Sequence, residues 1–109
     1  MAVKLYRGDT WTRTWLLQRQ DRTPIDLTGA TARLQVRDTS GNLMFEASTA
    51  NGKITITPAE GRIDMVIPYD AMIMPIGKYR YDLEITYANG VRRTYDSNLI
   101  EILEDITYG

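Results

Sequence analysis

From Lys78 to Tyr87 the chain alternates without a break. Tyr79, Tyr81, Leu83, Ile85 and Tyr87 fall on one parity, and Lys78, Arg80, Asp82, Glu84 and Thr86 on the other. Side chains of an extended strand point alternately to opposite faces, so one set is buried and the other meets water. Turn chemistry bounds the segment on both sides, with Met74-Pro75-Ile76-Gly77 before it and Ala88-Asn89-Gly90 after it. A half-buried antiparallel strand is the only regular element that this pattern fits, and it needs other strands beside it.

The rest of the chain supplies them. Short alternating runs recur about every ten residues, separated by Gly, Pro, Asn and Asp. Val3 to Arg7 reads as a short edge strand ending at Gly8-Asp9. Thr10 to Gln20 follows, with Trp11, Trp15 and Leu17 on the apolar parity; Arg13 interrupts that face, so its stem should lie along the core and its head reach an edge. Trp11 and Trp15 also have helical spacing, but the β-branched threonines between them favour strand. Asp21-Arg22-Thr23-Pro24 is a turn, and Asp26-Leu27-Thr28-Gly29 is a second tight bend closed by Gly29. Ala30 to Arg37 turns Ala32, Leu34 and Val36 inward. Asp38 to Asn42 is a hairpin loop, and Leu43, Phe45 and Ala47 lead the next strand. Asn51-Gly52 is the pair favoured in type I′ turns. Ile54 and Ile56 mark a short strand, and Ile63, Met65 and Ile67 another. Tyr69 to Met74, including Ile73, has room for one helical turn between Pro68 and Pro75. Val91 to Tyr95 returns from the Asn89-Gly90 turn, and Leu99 to Leu103 is a last strand.

Strands that no helix covers must cover each other. The expected fold class is all-β, an antiparallel immunoglobulin-like β-sandwich of about seven to nine strands, with a small barrel as the runner-up. At 109 residues the expectation is a single domain spanning 1–109.

Composition removes whole classes of chemistry. Cysteine and histidine are both absent, so disulfides, thiolate or imidazole zinc sites, cysteine nucleophiles and a Ser-His-Asp triad are excluded; Ser40, Ser48 and Ser97 have no histidine to activate them. Lysine and arginine number 13 against 14 aspartates and glutamates, a balance that leaves no footprint for nucleic acid or an anionic membrane. No apolar run approaches the ~18 residues of a membrane span, and no signal-peptide core precedes the first strand. The expectation is a mature chain that begins near Met1 and is made in a cytosol. No cofactor is expected.

Several short patterns remain. Ile73-Met74-Pro75-Ile76-Gly77-Lys78-Tyr79 has the spacing of a tyrosine corner, in which a phenol hydroxyl bonds back to the backbone at the crossing between sheets. Tyr79 then acts with Pro75 and Gly77, the other reading being a plain core aromatic. Arg7-Gly8-Asp9 spells the integrin-binding tripeptide, and equally a strand ending at a Gly-Asp turn. The local carboxylate clusters, Asp21 with Asp26 and Glu101 with Glu104 and Asp105, lack calcium-loop register, so turn bonding and a solvated face are expected. Of the seven tyrosines, parity puts Tyr79, Tyr81 and Tyr87 inside and leaves Tyr6, Tyr69, Tyr95 and Tyr108 for surface contacts.

The order of these signals resembles small tailed-phage proteins. Arg7-Gly8-Asp9-Thr10-Trp11, Pro24 to Ala30, the strand ending Val36-Arg37, Gly77 to Leu83, the Asn89-Gly90 turn and the closing Asp105-Ile106-Thr107 are similar to the immunoglobulin-like modules of phage and prophage baseplates and tail fibres, including upper-baseplate N-terminal domains. The resemblance implies a non-enzymatic virion component, made in a bacterial cytoplasm, that docks on other tail or baseplate proteins. No catalytic residue is implied.

Two functional readings follow. The first is that assembly module, and the alternative is a carbohydrate-binding or adhesion domain, which needs two or three coplanar aromatic rings in a groove. An assembly module instead shows a flat apolar patch or an edge strand ready to pair. Leu5 and Tyr6 on the first strand are the candidate interaction residues, and self-association to a dimer or trimer is expected.

Overall fold

Eight strands form two sheets in the computed structural model, which describes residues 3–72 and 74–104. They are β1 (Val3–Tyr6), β2 (Trp11–Leu16), β3 (Thr31–Asp38), β4 (Leu43–Ser48), β5 (Ile54–Thr57), β6 (Arg62–Ile67), β7 (Gly77–Thr86) and β8 (Arg92–Leu103). One sheet has the order β1-β8-β7-β3-β4, the other β2-β6-β5. Because consecutive strands keep changing sheets, neither layer is a simple meander. The order places β8, β7 and β3 as strands G, F and C of an immunoglobulin-like sandwich, and β2, β6 and β5 as B, E and D. It is a sandwich, not a barrel.

The strand expected from the long alternation is β7, at the centre of the larger sheet between β8 and β3. Its inward residues Tyr81, Leu83 and Ile85 are almost wholly buried. Facing them from the smaller sheet are Trp11, Ile63, Met65 and Ile67. Each fully buried Leu or Ile contributes about 1.5–3 kcal/mol, so this layer holds the two sheets together.

Several sequence expectations need correction. The pairs are not all antiparallel: β1 lies parallel to β8, from Val3 opposite Ile100 to Tyr6 opposite Leu103. The run from Thr10 to Gln20 leaves its sheet at Leu16, since Leu17 donates its N–H to the Gly61 carbonyl (2.8 Å) and accepts from the Ile25 N–H (2.9 Å). Leu43 faces outward, 47% exposed, because Val36 pairs with Phe45 while Arg37 pairs with Leu43. Met44 is therefore an extra residue, and one extra residue flips all that follows to the other face. Asn51-Gly52 is not a type I′ turn, since among the described residues only Arg22 departs from glycine at positive φ. It crosses between sheets, and the Asn51 side-chain carbonyl accepts from the Ser48 and Lys53 N–H groups instead.

The two runs Val91–Tyr95 and Leu99–Leu103 are one strand. A bulge at Tyr95, where Leu83 pairs with Asp96 but Glu84 pairs with Thr94, shifts the parity midway. Tyr69–Ala71 forms a single 3₁₀ turn; the expectation for Ile73 lies outside the described residues, as do those for Met1, Asp105, Ile106, Thr107 and Tyr108.

A second 3₁₀ turn, Pro58–Glu60, ends at Gly61 with φ +60°. A Cβ there would sit 2.5 Å from the Leu17 carbonyl oxygen and 2.9 Å from that of Ile25. Only glycine admits both that backbone conformation and that approach.

Candidate functional site

The chain crosses from the small sheet to the large one between Pro68 and Gly77, and Tyr79 pins the crossing. Its hydroxyl donates to the Pro75 carbonyl oxygen at 2.6 Å, while its ring is buried. Burial, then the nearby Asp38 carboxylate, pushes its pKa up. Gly77 begins β7 opposite Ile102. Gly29 lies at the other end, where a Cβ would stand 2.9 Å from the Ala88 side chain.

Several exposed apolar groups gather where this crossing meets the tip of β1. Tyr6 sits opposite Leu103, and the next turn is tied down by Arg7 N–H to Leu103 O (2.9 Å) and Gly8 N–H to Met72 O (3.1 Å). Tyr6, Tyr69 and Ile76 are 48%, 64% and 53% exposed. Leu5 is not among them. It lies opposite Ile102 and packs on the core, because adjacent residues of a strand cannot share a face. The exposed apolar side chains at this end are therefore Tyr6, Tyr69 and Ile76, while Leu5 is half-buried. Arg7-Gly8-Asp9 is the turn itself, closed by Asp9 N–H to Tyr6 O at 3.1 Å.

A polar cluster that sequence reasoning did not assemble joins the two sheets. The Asp96 Oδ2 atom on β8 accepts from Tyr81 Oη (2.8 Å), Trp15 Nε1 (2.9 Å) and Arg13 Nη2 (3.3 Å). Arg13 Nη1 also donates to the Tyr81 hydroxyl at 3.1 Å, and the guanidinium lies 5.1 Å from the Trp15 ring centroid. The Arg13 head thus reaches the opposite sheet rather than open solvent. Trp11 meets Tyr81 edge to face at 5.8 Å. Burial, then the bond to Asp96, raises the Tyr81 pKa. Tyr81 stands two residues after the corner tyrosine, where antibody domains carry the second cysteine of their inter-sheet disulfide. Here hydrogen bonds link the layers at that place. The available signal was Arg13, a charge on an apolar face that required a polar partner.

Tyr95 is half-buried, not a free surface contact. Its hydroxyl bonds that of Tyr87 and the rings meet at 71°. Burial and the Tyr95 hydroxyl push the Tyr87 phenol up to about 12.

Asp21 and Asp26 are committed to architecture. Asp21 Oδ1 accepts from both the N–H and the hydroxyl of Thr23, and Asp26 Oδ1 does the same with Thr28. Those bonds, the hydroxyl's first, lower both pKa values. Glu101 stands in a row between Lys4 and Lys78 on the outer face of the large sheet. Among the described residues no group of three acidic side chains is placed to hold a metal ion.

No family model matches the chain. No curated protein matches it. Among solved structures it is similar to CopC from Methylosinus trichosporium OB3b, with a TM-score of 0.53 and 8% identity over 99% of this chain and 91% of that one. It is also similar to extracellular domains 3–5 of Drosophila OTK, with a TM-score of 0.43 and 13% identity, covering 93% of this chain and 32% of that one. At 8% identity the likeness to CopC is one of fold alone.

Proposed function

We propose that this domain is a non-enzymatic assembly module of a phage or prophage tail, in the baseplate or a tail fibre, acting through protein–protein contacts. One observation carries the contact-making part: Tyr6, Tyr69 and Ile76 lie exposed at the end of the sandwich where β1 stops, and β1 is an edge strand among the described residues. An edge strand offers backbone donors and acceptors to a partner, and exposed apolar side chains beside it add burial. The phage context rests on the sequence resemblance, with its Arg7-to-Trp11 and Gly77-to-Leu83 segments. Weak to moderate association of copies to a dimer or trimer through β1 belongs to the same reading, with full assembly needing another tail protein. The paired rings among the described residues meet at 75° and 71°, which suits a sugar-stacking platform poorly.

The test is co-expression with the genes that flank it, followed by particle purification and mass spectrometry. Incorporation in fixed stoichiometry is the expected result. Particles that lack the chain, together with selective binding on a glycan array, would replace this reading with the carbohydrate-binding one.

A further inference from the structure

The outer face of the large sheet carries a groove of about 570 Å³ walled by the β3–β4 hairpin. Cross-strand register builds it: Arg37 pairs with Arg80, Arg80 with Leu99, and Lys78 with Glu101. Arg37 donates to the Gly41 carbonyl oxygen (2.9 Å) and to Gln35 Oε1 (3.0 Å). Both acceptors are neutral, so the guanidinium is fixed in place with its charge uncompensated. The ion pairs among the described residues join Arg13 to Asp96, Arg33 to Glu84 and Arg62 to Asp64, and none involves Arg37, Lys78 or Arg80. Asp38, at the wall, spends its carboxylate on the hairpin, accepting from the Ser40 and Asn42 N–H groups and from Asn42 Nδ2. Three cations therefore outnumber two carboxylates, Glu101 and the hairpin-bound Asp38, around the half-exposed Leu99.

We propose that this groove docks an extended acidic segment of a partner protein, with carboxylates flanking one apolar side chain. Charge complementarity sets the acidic requirement, and Leu99 sets the apolar one. Its volume suits a few side chains, whereas a stable globular interface needs about 800 Å² from each partner. The proposal rests on the assembly reading and gives it a second contact surface, distinct from the β1 edge.

Fluorescence anisotropy on the full chain tests it, with a labelled hexapeptide of alternating Glu and Leu and a counterpart of alternating Gln and Leu. The Glu peptide should bind, and the Gln peptide about tenfold more weakly. Raising salt from about 0.05 to 0.5 M should weaken only the former. Arg80→Glu and Lys78→Glu should each lower its affinity about tenfold, while Arg92→Glu, toward the far end of the same sheet, should leave it unchanged. Equal binding of both peptides, no binding at millimolar concentration, or indifference to Arg80→Glu would overturn the proposal. So would NMR shifts at Arg37, Lys78 and Arg80 on concentrating the protein alone, which would make a second copy the occupant. Particles that incorporate the chain while the peptide fails would sink the groove and leave the assembly reading standing.

Discussion

Replacing Gly61 by alanine should be among the most damaging single-methyl changes in this domain. The residue has φ +60°, where an L side chain is unfavourable by about 1–2 kcal/mol. The added Cβ would also lie 2.5 Å from the Leu17 carbonyl oxygen, 2.9 Å from the Ile25 carbonyl oxygen and 3.1 Å from the Ile25 nitrogen. All three are backbone atoms, so relief requires the Leu17–Leu27 segment to move away. That motion strains the bonds that tie the segment to the turn, from Leu17 N–H to Gly61 O and from Leu27 N–H to Pro58 O, each contributing about 1 kcal/mol. The sum is about 3–4 kcal/mol. Gly41→Ala is the matched control: φ is +88°, but nothing lies within 4 Å of the added Cβ, so only the conformational part remains. Urea denaturation of both variants measures the difference directly. A midpoint loss for Gly61→Ala no larger than that for Gly41→Ala would refute the close-approach argument.

Tyr79→Phe removes the bond to Pro75 and should destabilise by about 1–2 kcal/mol in the same assay. Asp96→Ala strips one acceptor from Arg13, Trp15 and Tyr81 together and should cost about 2–4 kcal/mol, against about 1 for Tyr81→Phe, which leaves Asp96 two partners; a double-mutant cycle reads their coupling. The raised phenol pKa of Tyr87 means that its folded form holds the proton more tightly than the unfolded chain. Its contribution is therefore complete below about pH 10 and lost as pH rises toward about 12, so denaturation midpoints should fall over that range and fall less in Tyr87→Phe. Excess calcium, zinc or magnesium should leave the melting temperature unchanged, because Asp21 and Asp26 already spend an oxygen on Thr23 and Thr28; a chelator-reversible rise would contradict this.

Legibility followed periodicity. The β7 alternation, the inward sets Ala32-Leu34-Val36 and Ile63-Met65-Ile67, and the Pro75–Tyr79 spacing are local patterns, and each kept its face in the structure. What hid was whatever a bulge displaced. One extra residue at Met44 turned Leu43 outward, and another at Tyr95 split β8 into two apparent strands. Parity already separated Leu5 from Tyr6, since the two alternate. The Arg13–Tyr81–Asp96 cluster draws on residues separated by 68 and 83 positions, so no local pattern could have joined them.

The parallel pairing of β1 with β8 has a mechanical consequence. Two parallel neighbours carry the chain in the same direction, so the entry at Val3 and the exit at Leu103 lie at opposite ends of the shared seam. Tension applied between those two points pulls the strands past each other lengthwise and loads the whole ladder from Val3–Ile100 to Tyr6–Leu103 at once. An antiparallel seam with both ends on one side would open one bond at a time. A domain wired in this way is suited to bearing a pull along the direction of these two strands without parting.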